Sequence, residues 1–125
     1  MKLANYTILE RHNYQREAVQ YLAMMREGDA LAQQLERTAE RLEAFELDGD
    51  LEAYACRVRL YRAVESWEAW RDECLERIEH QRKWGYLVIV LDLERRLYLH
   101  QESLMLKPLQ QAGRLLKRLE RNQNR

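Results

Sequence analysis

A chain of 125 residues that is 46% apolar is long enough for one core and too apolar for wholesale disorder. Its four glycines and one proline leave long uninterrupted runs, so little loop remains to wall an active site. The longest apolar run, Tyr86–Leu91, has six residues, against the ~20 that a membrane-spanning helix needs.

These features predict an all-α, up-and-down bundle of four long helices plus a short C-terminal helix, in a single domain over 1–125 with a basic segment at 107–125. The N-terminus, MKLANYTILERHNY, turns polar too early for a signal peptide, and a cytoplasmic location is expected. Net charge is zero but unevenly spread. Residues 29–50 hold two basic and seven acidic groups, and residues 107–125 hold six basic and one acidic. Two readings follow: the segments attract each other, within the bundle or between subunits, or the tail is solvated with no specific partner.

The first helix is expected to start at Thr7, with Glu10 in the capping-box position. Tyr14, Ala18, Tyr21 and Met25 then make one apolar face, which Val19 and Leu22 widen. Gly28-Asp29 is read as its end, with Asp29 capping the next helix. That second helix covers about 30–47, with Leu31, Leu35, Thr38, Leu42 and Phe45 as its seam. Asp48-Gly49-Asp50 is the clearest turn. Asp48, Asp50 and Glu52 have the alternate spacing that opens a calcium loop, but the later ligands of such a loop are missing, and a turn with an N-cap is expected.

The third helix is expected over 51–84, with a bend near Ser66 as an alternative. It has two apolar lines: Leu51, Ala55, Val58 and Tyr61, then Leu60, Ala63, Trp67, Trp70, Cys74 and Ile78. Short links at Gly28 and Gly49 predict that the first three helices run up-down-up. Cys56 and Cys74, 18 apart in this helix, are too distant to bridge, and buried thiols are expected. The 86–91 run is β-branched enough for a strand, but it leads into the pattern Val90, Leu93, Leu97 and Leu104, and reads as the start of a fourth helix. Pro108 is expected to interrupt that helix or to open a new one. Leu109, Ala112, Leu115, Leu116 and Leu119 give the tail its own stripe.

Residues for chemistry are sparse. His80 has Glu76 and Glu73 on the preceding turns, but neither His80 nor His100 has the glutamate three residues earlier that bundle metal sites use. His12 lies near Glu10. Ser66 and Ser103 sit in no nucleophile motif. Glu65, Glu68, Glu76 and Glu79 alternate with Arg62, Arg71, Arg77, Arg82 and Lys83, as on a solvated ion-paired face. No catalytic residue, metal or cofactor is expected.

Binding is the better-supported role. Trp67, Trp70, Trp84 and Tyr86 read as either core or an anchor patch for a protein partner or second subunit, and a homodimer is expected. Arg114, Lys117, Arg118 and Arg121 form a basic helical face that reads either as local stabilisation of the helix's last turns or as a contact for an acidic protein, a membrane surface or nucleic acid. The tail has no aromatic residue for stacking bases. The expected function is a non-enzymatic cytosolic interaction module. The alternative is a small nucleic-acid-binding regulator.

Overall fold

The structure is a computed structural model and describes residues 16–83 and 100–123. Helix α1 spans Arg16–Leu47 and α2 spans Leu51–Lys83. A π-helical segment, Gln101–Leu106, runs directly into α3, Lys107–Gln123. The π segment and α3 make one third helix, and no β-sheet is present among the described residues.

The bundle is therefore all-α, but its helices are divided differently from the sequence expectation. Gly28-Asp29 does not end a helix: α1 passes through both without a break. The expected first and second helices are one, and the link at Gly28 disappears. A single glycine costs a helix about 1 kcal/mol. The buried residues on either side, Leu22, Met25, Ala32 and Leu35, repay that by packing on one continuous face.

The turn at Asp48-Gly49-Asp50 forms as expected. Gly49 takes the left-handed conformation, with φ at 88°. Its N–H donates to the Glu46 carbonyl at 2.9 Å, and the Asp50 N–H donates to the Phe45 carbonyl at 3.2 Å. This is the double bond pattern of a Schellman stop. Asp50 Oδ1 then accepts from the Ala53 N–H at 2.9 Å and caps α2. One three-residue turn thus closes one helix and opens the next.

The turn makes α1 and α2 an antiparallel hairpin, the principal pairing of the fold. Glu46 meets Arg57 near the turn, and Asp29 meets Arg71 further along. The third helix runs parallel to α1: Gln101 bonds to Met24 and Glu120 pairs with Arg41. The described helices are thus arranged up-down-up. The core lies along their shared axis, from Leu22, Met25 and Trp67 through Leu35 and Leu60 to Leu115, Leu116 and Leu119.

The second apolar line of α2 is mostly core, with Leu60, Ala63, Trp67 and Cys74 buried. Leu51, from the first line, is 82% exposed, while Ala55, Val58 and Tyr61 are half-buried. Cys56 and Cys74 are buried free thiols. Burial pushes the Cys56 thiol above its ordinary value, with Arg59 opposing. In α3 the leucine stripe packs as expected, with Ala112, Leu115, Leu116 and Leu119 buried.

Pro108 does not interrupt the third helix. Proline lacks an amide donor and crowds the carbonyl four residues earlier, that of Leu104. Leu104 lies within the π segment, whose wider turn falls where that crowding acts. The expected helix start at Thr7, the apolar run 86–91, His12, Trp84 and Tyr86 lie outside the described residues, as do the side chains of Tyr14, Tyr21, Ile78 and His80.

Candidate functional site

At mid-bundle the core contains a polar centre. Asp29 is only 4% exposed and Arg71 2%. Asp29 Oδ1 accepts from the Trp67 indole Nε1 at 2.8 Å and from Arg71 Nη1 at 2.8 Å. Arg71 Nε also donates to Asp72 at 2.9 Å, which carries the charge network from the core to the surface of α2. Burial works against the Arg71 cation, but the Asp29 hydrogen bond and charge more than reverse this and hold its proton above the ordinary arginine value. Both partners give up hydration, so geometry and further hydrogen bonds must compensate.

The two roles expected for these residues therefore change. Asp29 is a buried mid-helix acceptor, not an N-cap, because α1 does not stop there. Arg71 belongs to the core, not to a solvated face, because it lies one turn after Trp67 on the buried line. A legible signal existed in the spacing. Met25, Asp29 and Ala32 are separated by four and three, and Trp67, Arg71 and Cys74 likewise. Each charge thus occupies an apolar stripe.

Trp67 is fully enclosed, at 0% exposure, and offers no area to a partner. Trp70 is half-buried beside it, with ring centroids 6.2 Å apart. His100, helical and directly before the π segment, stacks on Trp70 at 5.1 Å and 6°, and tilts against Trp67 at 5.7 Å. Its Nε2 is buried without a hydrogen-bond partner among the described residues. Burial lowers the tendency of His100 to take a proton. Gln101 Nε2 donates to the Met24 carbonyl at 2.8 Å. Among the described residues, no group of three or more His, Cys, Asp or Glu side chains is placed to hold a metal ion.

The basic face lies on α3. Arg114, Lys117, Arg118 and Arg121 are all exposed, opposite the buried leucines. Arg118 pairs with Glu52 of α2. Among the described residues Arg114, Lys117 and Arg121 have no ion pair. The expected attraction between the 29–50 and 107–125 segments takes an unexpected form. An ion pair between them joins Arg41 of the acidic segment to Glu120 of the basic one, at 2.5 Å. The minority charges of the two segments thus meet each other, and most of the basic face stays open.

At the α1–α2 turn, Leu47 is 89% exposed beside the exposed Leu51 and Tyr54. No described helix is long and apolar enough to cross a membrane. Comparison with protein-family models, with curated proteins and with solved structures finds no match.

Proposed function

We propose that this chain is a non-enzymatic helical interaction module that presents the basic face of α3 to an acidic protein surface. The observation that supports this reading is the division of one helix. Ala112, Leu115, Leu116 and Leu119 fix it in the core, while Arg114, Lys117, Arg118 and Arg121 stand in solvent. A fixed helix holds its cations in register, so a partner meets them with less ordering cost. Binding through Trp67 has no such support, since its ring has no exposed area.

The test is anisotropy of a labelled poly-glutamate peptide with the full chain, at about 50 and 200 mM salt. Binding that weakens with salt, and is lost in an Arg114→Glu, Lys117→Glu, Arg121→Glu variant, supports the reading. Preference for duplex DNA or single-stranded RNA over the acidic peptide transfers it to a nucleic-acid-binding regulator using the same cations. Absence of binding to all three removes both.

We also propose self-association as a homodimer. The supports are the 33-residue length of α2 and the exposed apolar side chains Leu47, Leu51 and Tyr54 at one end of the hairpin.

A further inference from the structure

The basic row of α3 has a counterpart in this same chain. Arg114, Lys117 and Arg121 follow one another at gaps of three and four. Glu36, Glu40 and Glu43 of α1 follow at gaps of four and three. Each row covers about 10.5 Å of helix. Read from opposite ends, the two spacings coincide, so an antiparallel α1 and α3 set one carboxylate against each cation. Among the described residues none of the three carboxylates has an ion pair, and Glu43 only accepts from the Tyr61 hydroxyl, at 3.4 Å.

Within one chain the two rows point apart. There α1 and α3 run parallel, and Arg41 reaches α3 through Glu120. Glu36, Glu40 and Glu43 lie about 100–160° around the helix from Arg41, at about 100° per residue. They line the side of α1 that faces α2. Burial raises the Tyr61 hydroxyl above its ordinary value, and the charges of Glu43 and Glu40 add to this. Burial also raises the Glu68 carboxyl, with Arg71 opposing and Glu36 adding. The basic row lies opposite the buried leucines of α3 and points away from the hairpin. The acidic and basic rows thus occupy opposite sides of the bundle and can meet only between copies.

The exposed apolar side chains select the direction. Leu47 and Leu51 flank the α1–α2 turn, whereas Leu106 ends the π segment. In one chain they are at opposite ends of the bundle, because the turn end meets Arg118 and Glu120, far along the third helix from Leu106. Antiparallel docking with Arg114 against Glu43 joins them. Seven residues further along, Lys107 falls beside Asp50, which brings Leu106 to the turn. Parallel docking lacks both advantages. It needs Arg118 as the middle cation, and Glu52 already engages Arg118. It also keeps Leu106 away from the turn.

We propose that the acidic surface recognised by α3 is a second copy of this chain: Arg114, Lys117 and Arg121 of one copy dock antiparallel on Glu43, Glu40 and Glu36 of the next, with Leu106 against the α1–α2 turn. The inference rests on the basic-face reading and supplies its partner. Apolar burial at the turn adds affinity that exposed ion pairs alone lack, while the charged rows set register and direction. The contact joins two different patches. Two copies therefore leave one row of each kind unused, and further copies add as concentration rises.

The experiment is sedimentation equilibrium of the full chain at about 50 and 500 mM salt, a range over which exposed charges become screened. Association at the lower salt should weaken about tenfold or more at the higher. The triple variants Glu36→Lys, Glu40→Lys, Glu43→Lys and Arg114→Glu, Lys117→Glu, Arg121→Glu should each associate about tenfold or more weakly than the unaltered chain. An equimolar mixture of the two should recover association, because every reversed row again meets its opposite. Direction is read from single changes: Arg114→Glu in the same chain should rescue Glu43→Lys, and Arg121→Glu should not. Circular dichroism checks folding, and the salt dependence of the unaltered chain remains the readout if a triple variant loses helicity. A single chain at low salt, indifference to both reversals, no recovery on mixing, or rescue by Arg121→Glu in place of Arg114→Glu would each overturn the inference. Poly-glutamate binding by a chain that stays single assigns the basic face to another acidic protein. Loss of that binding as well removes the basic-face reading itself.

Discussion

The Trp67 indole fills the space that a side chain on Gly28 would occupy. A Cβ on Gly28 would come within 2.0 Å of Trp67 Cζ2 and 2.2 Å of Cη2. The glycine serves close approach, since α1 is regular on both sides of it. The approach also sets the position of the indole Nε1, which donates to the neighbouring Asp29. Gly28→Ala should therefore destabilise the chain by about 1–3 kcal/mol despite the higher helix propensity of alanine. Urea denaturation followed by circular dichroism measures it. A stabilised variant would mean that Trp67 can move aside freely.

Asp29 and Arg71 should behave as a coupled pair. Asp29→Ala leaves a buried guanidinium without its principal acceptor and should cost about 3–5 kcal/mol. Arg71→Met should also destabilise. The double variant Asp29→Leu, Arg71→Met should cost clearly less than the sum of the two single changes, because no buried charge remains. A double-mutant cycle by chemical denaturation reads the coupling directly. Additive effects would show that the two side chains do not stabilise each other.

Two other glycines should respond in opposite directions. Nothing lies within 4 Å of a Cβ placed on Gly113, in the middle of α3, so Gly113→Ala should stabilise by up to about 1 kcal/mol. Gly49 also has open space around it, but its φ of +88° is unfavourable for a side chain. Gly49→Ala should lower stability by about 1 kcal/mol. Thermal melts of the two variants should shift in opposite senses.

A homodimer predicts a solution mass near twice 15.2 kDa at micromolar concentration. Replacement of Leu47 and Leu51 by serine should shift the population toward the single chain without loss of helicity. Both side chains are largely exposed, so neither contributes much to the core of one chain. Sedimentation equilibrium distinguishes the two masses, and a clean 15.2 kDa species in the unaltered chain would exclude self-association through this end.

Periodicity alone made much of the bundle legible. The leucine stripe of 109–119, the uninterrupted α2 and the turn around Gly49 depend on spacing and local backbone preference, both of which lie within a few consecutive residues. The basic face of α3 was legible for the same reason: its cations are spaced opposite its leucines.

The central site followed different rules. Gly-Asp at 28–29 has the local chemistry of a helix stop followed by a cap. The same dipeptide at 49–50 acts as one, because Gly49 takes a positive φ there and Asp50 caps α2. At 28–29 packing overrides that preference. Trp67 needs the missing Cβ, and Trp67 and Arg71 need the carboxylate; both lie some 40 residues away along the chain. A residue's use as cap, spacer or buried acceptor depends on what a distant helix brings against it. Local sequence carries the propensity to begin or end a helix, whereas burial and hydrogen bonding across α1 and α2 decided that this helix continues.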